Sequence, residues 1–361
     1  MTGMAAVLLA AILFLPCEAQ GISAKKAILL DASTNRVLYQ KDAYSRGLIA
    51  STTKIMTALV VCEQCNVLDR VRIPKEAVGV EGSSLYLREG EVMTIQELLY
   101  GLMLHSGNDA AVALAIYCGG TVEGFAQLMN DKAHRLGMTG THFENPHGLD
   151  SPGHYSTAYD MALLSAYAMK NPIFAKTVSA KNVTAAGRSL RNHNKLLWRV
   201  DGADGVKTGY TKAAGRILVS SAVRQGRRLV AVTMNAGDDW NDHAALLEDG
   251  FRKFSVKKII STGENIGTVE VASGDAGNVQ LIAAEDFSYA VSPLEEIEIV
   301  IQGIGFVYAP VVQGQHAGFA YVCIDGRPVG KSALVYGETI EQMKKETKNS
   351  FWLNIFGGDH S

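Results

Sequence analysis

The spacing of apolar residues predicts an antiparallel sheet in the first two thirds of the chain. Short apolar runs with turn-forming residues between them predict paired strands over 24–31 and 36–40. A second pair is predicted over 216–222 and 228–234, joined by a glycine-containing turn. Because a short turn joins each pair, we expect the paired strands to run antiparallel.

Apolar residues spaced three and four apart predict helices between these strands. Thr94 and Glu97 have the form of a capping box, in which the two side chains satisfy free amides at a helix start. The helix that they open ends near His105, and another follows Asn108 directly. The remaining predicted helices begin at Ser51 or cover 125–136, 158–169 and 244–254.

From residue 254 onward the pattern changes to short strands at regular spacing. Glycine, asparagine, proline and aspartate separate these strands, which is typical of an all-β domain. They are predicted over 268–271, 279–282, 297–301 and 320–324. We therefore expect an α+β domain over 21–255, followed by a β-rich domain over 256–338.

The tail, 339–361, is predicted to form an amphipathic helix over 339–356. Lys344 and Lys345 precede a cluster of apolar and aromatic residues that includes Trp352. A basic segment with aromatic residues at one end suits a membrane surface. A tail that packs on its own domain, or that is disordered, explains the same composition.

Residues 1–20 have the composition of a secretory signal peptide. The apolar run over 5–15 is too short to span a bilayer, and Pro16 follows it. No lysine or arginine precedes the run, which departs from the usual pattern. We expect cleavage after Ala19, with lipid modification of Cys17 as the alternative. Together with the tail, this segment predicts a protein exported across the cytoplasmic membrane and peripheral on its outer face.

Composition and charge narrow the classes of partner. The chain has 361 residues, of which 47% are hydrophobic and 19% are charged, and its formal net charge is -2. No block of lysine and arginine stands out, so nucleic acid is not an expected partner.

Five cysteines are present, and two of them are three residues apart. Cys62 and Cys65 have the spacing of a redox motif or half of a zinc site, but no second pair completes four ligands. A local disulfide between them and two unlinked small residues at a helix end both remain open.

Ser51 and Lys54 stand three residues apart at the start of a predicted helix. That spacing makes them neighbours on one helix face, so the lysine can reach the serine hydroxyl. A serine with its own base is a candidate nucleophile. Taken alone, the tetrapeptide favours the ordinary explanation that Ser51 is an N-cap and Lys54 a solvated first-turn residue.

Ser106, Gly107 and Asn108 form a predicted tight turn between two apolar helices. Polar side chains in such a turn are held rigidly, and we expect Gly107 to permit the turn. The alternative is that Ser106 and Asn108 are ordinary helix caps.

A third motif, Lys207-Thr208-Gly209, is followed by Tyr210 and leads into the predicted pair of strands. The order Ser-x-x-Lys, Ser-Gly-Asn, Lys-Thr-Gly resembles the trio of penicillin-binding proteins and class A β-lactamases, in which aspartate occupies the middle of the second motif. Three weak signals in one order and in suitable contexts make a strong one.

The chain resembles the serine-type D-alanyl-D-alanine carboxypeptidases of peptidase family S11, which are low-molecular-mass penicillin-binding proteins. The matching stretches are 51–58, 82–91, 98–115, 145–150 and 204–215. The segment 238–243 is similar to the branch found in spore-forming Gram-positive bacteria. The resemblance implies a β-lactamase/DD-peptidase-like fold: an antiparallel sheet flanked by helices, an all-helical subdomain and a C-terminal β-sandwich domain.

The resemblance also implies a role for each motif residue. Ser51 would attack the carbonyl of a terminal D-Ala-D-Ala bond and form an acyl-enzyme, which water then releases. Lys54 would be its base, with a pKa lowered by burial and by Lys207. Ser106 would relay the proton to the leaving nitrogen, and Asn108 would position Lys54.

The remaining implied roles concern substrate binding. Lys207 and Thr208 would bind the terminal carboxylate, and Gly209 would let the substrate lie against the strand. The backbone N–H groups of Ser51 and Tyr210 would form the oxyanion hole. The implied partners are peptidoglycan stem pentapeptides and, as covalent inhibitors, β-lactam antibiotics. No metal or cofactor is implied.

One departure from the family pattern concerns the substrate carboxylate. Some relatives bind it with an arginine beyond the Lys-Thr-Gly strand, where this chain has Asp238 and Asp239. Arg216 is an unusual charge at the start of the next strand. The cation that assists Lys207 is therefore open.

Two rival functions share these features. A class A β-lactamase needs a glutamate on the loop between the second and third motifs. Glu144 and Asp150 lie there, but their sequence context resembles the carboxypeptidases. A cell-wall-binding protein with a silent site is the second rival, and the three intact motifs weigh against it.

Overall fold

The computed structural model describes residues 21–302 and 305–344, which form two compact units. The first unit ends at Ser255 and the second begins at Val256. The predicted signal peptide and residues 345–361 of the predicted tail lie outside the described residues.

The first unit is built around a five-stranded sheet. Its strands, in the order β2-β1-β9-β8-β7, are antiparallel at every neighbouring pair. The strands of this unit are β1 (Lys26–Asp31), β2 (Val37–Lys41), β3 (Arg70–Arg72), β4 (Val92–Thr94), β5 (Asn182–Ala185), β6 (Arg188–Arg191), β7 (Ala203–Thr211), β8 (Gly215–Arg224) and β9 (Arg227–Met234). The predicted antiparallel pairs are confirmed as β1–β2 and β8–β9.

Helices cover the sheet and form a subdomain beside it. They are α1 (Lys54–Gln64), α2 (Ile95–Leu104), α3 (Asn108–Gly119), α4 (Val122–Arg135), α5 (Ala158–Ala168), α6 (Pro172–Ser179) and α7 (Asp239–Lys253). Short 3-10 turns occur at Ala50–Thr53, Lys75–Ala77 and Lys195–Trp198. This arrangement confirms the α+β fold that the resemblance implied.

The two faces of the sheet bury different sets of side chains, because successive residues of a strand point to opposite faces. On β1, Ile28 and Leu30 join the main core, which also contains the apolar residues of α1 and α5. Leu29 points to the other face, where α7 packs. A Cβ on Gly250 of α7 would come within 2.5 Å of the Leu29 side chain, so this helix lies close to the sheet.

The helical signals in the sequence are mostly confirmed. The Thr94 hydroxyl accepts a hydrogen bond from the Glu97 amide at 3.2 Å, and the Glu97 carboxylate accepts one from the Thr94 amide at 2.8 Å. The strand β4 and the β5–β6 hairpin were not predicted, because strands of three or four residues show too little alternation. Helix α6 was not predicted either, although Asn171 caps it and Pro172 stands at its first turn.

The second unit consists of two sheets with a shared apolar core. Its strands are β10 (Ser255–Ile260), β11 (Asn265–Ala272), β12 (Asn278–Ala283), β13 (Phe287–Val291), β14 (Ile297–Gln302), β15 (Phe306–Tyr308), β16 (His316–Ile324) and β17 (Arg327–Tyr336). One sheet has the order β14-β16-β17-β12-β11-β15, and the other pairs β10 with β13. The expected β-sandwich is confirmed.

The predicted tail helix is wrong over its first residues. Ile340 is buried and pairs with Val311, while Gln342 pairs with Gly274. The segment is extended because Ile340 contributes its side chain to the core of the second unit.

No single helix within 21–302 or 305–344 is long and apolar enough to cross a membrane. The helices α3 and α4 reach that length and apolar character only together, and the angle of the bend between them is 82°.

We predict that the first unit loses stability in mild acid through His243. This side chain is fully buried on α7, with its two ring nitrogens 2.6 Å from Ser220 Oγ and 2.9 Å from Thr233 Oγ1. Burial lowers the pKa of His243 to about 3. Below pH of about 6.5 the unfolded chain therefore binds a proton that the folded chain refuses, which removes about 1.4 kcal/mol of stability per pH unit until the folded pKa is reached.

The test compares urea unfolding of the wild type and His243→Gln between pH 7 and pH 5. The glutamine keeps a donor and an acceptor but does not titrate, so the urea midpoint of His243→Gln should fall less steeply than that of the wild type as the pH is lowered. An equal dependence of the two midpoints on pH below 7 would contradict the prediction. As a control, the two midpoints should depend on pH equally above pH 7.

Candidate active site

The three sequence motifs meet at one cleft in the first unit. The cleft has a volume of about 700 Å³. Its lining includes Ser51, Ser106, Thr208, Tyr210, Arg216 and Trp240. Residues that are far apart in sequence are thus brought together between the turn before α1, the α2–α3 turn and the edge strand β7.

Lys54 lies directly behind Ser51 and has three oxygen partners. Its Nζ is 3.0 Å from Ser51 Oγ, 2.6 Å from Asn108 Oδ1 and 2.7 Å from the carbonyl oxygen of His147. Ser51 stands in the 3-10 turn and makes no capping bond with its side chain, and Lys54 is fully buried. The ordinary explanation of a helix cap and a solvated lysine is therefore wrong.

The surroundings of Lys54 favour its neutral form. Burial lowers its pKa well below the usual value, and the charge of Lys207 lowers it further, while Asp109 acts in the opposite direction. Burial lowers the pKa of Lys207 to about 7. Burial and a neighbouring positive charge both lower the pKa of Lys54, so Lys54 is the amine suited to act as an unprotonated base beside the Ser51 hydroxyl.

The α2–α3 turn differs in one detail from the expectation. Ser106, not Gly107, has the left-handed backbone, with φ of 67°. Gly107 has an ordinary φ of -57°. Space explains the glycine: a Cβ there would lie 2.8 Å from Asp109 Oδ1 and 3.0 Å from Leu85 Cγ. The alternative that Ser106 and Asn108 are helix caps is wrong, since the N-cap of α3 is Gly107 and no side chain caps it.

The Asn108 side chain is held from both ends. Its Oδ1 accepts the hydrogen bond from Lys54, and its Nδ2 donates to the carbonyl oxygen of Glu81 at 2.5 Å. The Asn108 amide donates to the Ser83 carbonyl at 2.7 Å. A Cβ on Gly82 would come within 2.8 Å of Asn108 Nδ2, so this loop can approach only with glycine there. The loop thereby sets the direction of the Asn108 amide.

The neighbouring Asp109 is a structural residue that the sequence analysis missed. Its carboxylate accepts hydrogen bonds from the Ser84 hydroxyl at 2.6 Å and from the amides of Leu85 and Leu87 at 2.8 and 3.2 Å. An aspartate in the first turn of α3, next to a motif residue, was the available signal. Asp109 fixes the loop that borders the cleft.

Strand β7 passes close to the nucleophile. A Cβ on Gly209 would lie 3.2 Å from the amide nitrogens of both Ser51 and Thr52. Thr208, Gly209 and Tyr210 line the cleft, and the Tyr210 side chain points largely into solvent. Lys207 is buried, and its Nζ donates to the Thr208 carbonyl oxygen at 2.8 Å. Its charge therefore acts from behind the surface that a substrate would contact.

A loop after α4 supplies the third acceptor of Lys54. Gly148 has φ of 88°, and a Cβ there would overlap the Ala50 carbonyl oxygen at 1.8 Å. This close approach places the His147 carbonyl at Lys54. In the sequence, the stretch 145–150 matched the family pattern, but no signal predicted a role for His147.

Two histidines on this loop, the buried His154 and the half-buried His147, are neutral. Burial lowers the pKa of both His147 and His154 to about 4. His154 Nε2 is 2.7 Å from the Thr53 hydroxyl, and His154 Nδ1 accepts a hydrogen bond from the Glu144 amide. These contacts anchor the loop to the turn that carries Ser51.

Arg216 is the exposed cation at the cleft. It pairs with Tyr210 across β7 and β8, and its guanidinium lies 3.1 Å from the buried carboxylate of Asp239. About half of its side chain is exposed. Asp239, which stands where some relatives have an arginine, therefore forms an ion pair with Arg216, an arginine that β8 supplies.

The two carboxylates considered for β-lactamase chemistry have other partners. Glu144 accepts hydrogen bonds from the Ser151 hydroxyl and the Gly153 amide. Asp150 accepts one from the Thr211 hydroxyl at 3.1 Å. In the part of the chain that the structure describes, neither is hydrogen-bonded to Ser51 or Lys54, and no group of three His, Cys, Asp or Glu residues is arranged to hold a metal ion.

Comparisons with known proteins agree with this geometry. The family model described as D-alanyl-D-alanine carboxypeptidase (peptidase S11) matches residues 16–238, and the model for the C-terminal domain of penicillin-binding protein 5 matches residues 254–342. The D-alanyl-D-alanine carboxypeptidase DacF of Bacillus subtilis is 33% identical over 350 residues, which cover 92% of this chain and 89% of the relative. The corresponding DacD of Escherichia coli is 37% identical over 292 residues, 76% of this chain and 75% of the relative.

Among solved structures, penicillin-binding protein 5 from Haemophilus influenzae superimposes with a TM-score of 0.78 at 29% identity, covering 90% of this chain and 99% of that one. The first family model alone matches more than half of the chain. The chain therefore belongs to the peptidase S11 family of D-alanyl-D-alanine carboxypeptidases.

Proposed function

We propose that the protein is a serine D-alanyl-D-alanine carboxypeptidase that removes the terminal D-alanine from peptidoglycan stem pentapeptides. The observation that carries this proposal is the buried Lys54 amine 3.0 Å from the Ser51 hydroxyl at the wall of an open cleft. This pair is a nucleophile with its own base, and family membership directs it to the D-Ala-D-Ala peptide bond.

Acylation starts with proton transfer from Ser51 to Lys54. Neutral Lys54 accepts the proton as Ser51 Oγ attacks the carbonyl of the penultimate D-alanine. The resulting ammonium keeps Asn108 Oδ1 and the His147 carbonyl as hydrogen-bond acceptors, so its charge is compensated at once. Ser106, which lines the same cleft, relays a proton to the nitrogen of the departing D-alanine.

The charge that develops on the substrate oxygen needs donors in place beforehand. The backbone N–H groups of Ser51 and Tyr210 are proposed to supply them. The close approach of Gly209 to the Ser51 amide supports this, since it brings β7 against the turn that carries the nucleophile. A donor of this kind contributes about 3–4 kcal/mol of transition-state stabilisation.

The free carboxylate of the substrate distinguishes a carboxypeptidase from other peptidases. We propose that the Thr208 hydroxyl and the Arg216 guanidinium bind it, while buried Lys207 adds a favourable charge from behind. Water then releases the acyl-enzyme. A β-lactam presents a similar carboxylate and a strained amide, so it should acylate Ser51 and remain there.

We predict that benzylpenicillin forms one covalent adduct with the wild type and none with Ser51→Ala. The reason is that Ser51 is the hydroxyl that contacts Lys54. Mass spectrometry of the intact protein measures the adduct, and release of D-alanine from a pentapeptide measures turnover.

Ser83→Ala is the matched control, because Ser83 lines the same cleft and positions Asn108 through its backbone carbonyl. It should keep the adduct. Prompt turnover of penicillin without a long-lived adduct would instead support a β-lactamase. Unreactive Ser51 together with no D-alanine release would support a silent wall-binding protein.

We predict that Arg216→Ala lowers kcat/KM for a pentapeptide about tenfold, mainly through KM, because a charge-assisted hydrogen bond to the substrate carboxylate is lost. Arg216→Lys should restore part of the loss. Steady-state release of D-alanine measures both.

Arg224→Ala controls for a general effect on the strand, since Arg224 lies at the other end of β8 and pairs with Glu248. It should leave kcat/KM unchanged. An Arg216→Ala enzyme with wild-type KM would show that Arg216 pairs with Asp239 but does not bind the substrate carboxylate.

We also propose that residues 1–20 direct export and that the C-terminal tail rests on the outer face of the cytoplasmic membrane. The apolar N-terminal run and the lysines beside aromatic residues in the tail support this. Deletion of 345–361 should move the protein from the membrane fraction to the soluble exported fraction with activity retained. Equal partition of the full and shortened chains would contradict a role of the tail.

A further inference from the structure

Helices α1 and α3 lie side by side and run in the same direction. At their N-terminal ends, Lys54 Nζ contacts Asn108 Oδ1 at 2.6 Å. At their C-terminal ends, the Tyr117 hydroxyl donates to the Asp69 carboxylate, just beyond α1, at 3.1 Å. The N-terminal ends of α1 and α3 are therefore neighbours, and so are their C-terminal ends. Residues at the C-terminus of one helix lie close to those at the C-terminus of the other.

Two cysteines occupy these neighbouring ends. Cys65 is the first residue after α1, and Cys118 belongs to the last turn of α3. Their thiols are hydrogen-bonded to each other, and both side chains are only partly buried. The sequence motif paired Cys65 with Cys62, but the structure brings Cys65 to a cysteine that is remote in the chain.

The three thiols of this region differ in reactivity. The hydrogen bond from Cys118 lowers the pKa of Cys65, which favours its thiolate. Burial raises the pKa of Cys62 to about 12 and keeps it protonated. Cys65 is therefore the thiol suited to attack an external disulfide, and Cys118 is placed to attack Cys65 in the second step of an exchange.

We propose that Cys65 and Cys118 form a disulfide that links the C-terminal ends of α1 and α3 when the protein meets an external disulfide. This inference does not depend on the proposed peptidase activity. It assigns a covalent modification site at the end of the helix pair opposite to Lys54 and Asn108.

The exchange proceeds in two steps with a small disulfide or an oxidised thiol–disulfide oxidoreductase as oxidant. The Cys65 thiolate attacks one sulfur of that disulfide, forms a mixed disulfide and releases one thiolate. Cys118 then loses its proton and attacks Cys65 Sγ, which expels the second external thiolate. Two electrons pass to the external disulfide, and the two protons of the protein thiols end on its two thiols.

The bond should stabilise the fold without altering the cleft. It closes the chain between Cys65 and Cys118, which contains α2 and the α2–α3 turn, into a covalent loop and so restricts the unfolded chain. The helices place this link roughly 15 Å from Lys54 and Asn108, at 1.5 Å per residue. The two thiols are hydrogen-bonded to each other, so we expect side-chain rotation to bring the sulfurs to bonding distance.

The test treats the purified protein with oxidised glutathione or with dithiothreitol, followed by alkylation and non-reducing peptide mapping. We expect one cross-linked peptide that joins Cys65 to Cys118 in the oxidised sample. Its thermal midpoint should exceed that of the reduced sample by roughly 5 °C or more. The rate of adduct formation with penicillin should agree within about twofold between the two samples, since the link is remote from the cleft.

Variants identify the thiols. Cys118→Ala should abolish both the cross-link and the response of the midpoint to oxidant, while Cys323→Ala, in the second unit, should keep both. The wild-type comparison stands even if a variant folds poorly. A Cys62–Cys65 link, or full alkylation of Cys65 and Cys118 after oxidation, would overturn the proposal, and a cross-link without a higher midpoint would overturn its stabilising role.

Discussion

Everything at the cleft depends on one buried amine and its three acceptors. Removing an ammonium group from water costs several kcal/mol unless its hydrogen bonds are replaced. Lys54 finds replacements in Ser51, Asn108 and His147, each from a different element. The acceptors can converge only after α1, the α2–α3 turn and the loop after α4 have packed together, so this base exists only in the folded protein.

Close approach of backbones is what lets these elements converge. Gly82, Gly148 and Gly209 each occupy a position where a Cβ would press on a neighbouring motif or the turn before α1. Each glycine brings one wall of the cleft toward Ser51 or Asn108. The polar side chains supply the chemistry, while glycine supplies the distances of about 3 Å over which hydrogen bonds act.

Electrostatics then separates the roles of similar residues. Lys54 and Lys207 are both buried lysines, yet Lys54 alone touches the nucleophile. Burial and, after it, the charge of Lys207 keep the pKa of Lys54 low, and Arg216 offers a solvent-exposed positive charge. The surrounding histidines, His147 and His154, are neutral because of burial and add no competing charge. Arg216 and Lys207 therefore remain as the two cations proposed to act on a substrate carboxylate, while Lys54 is the proposed base.

The strong local features could be predicted from the residues alone: the Thr94 capping box, the alternation of β8 and β9, and the order of the three motifs. These follow from contacts within a few residues or from a family pattern. The folded chain was needed to show that Lys54 is buried and that the His147 carbonyl accepts a hydrogen bond from it. It was also needed to show that Arg216 lines the cleft and that the Cys65 and Cys118 thiols are hydrogen-bonded. Those contacts join residues tens of positions apart, and pairing over such distances depends on how helices and strands pack, which local periodicity does not encode.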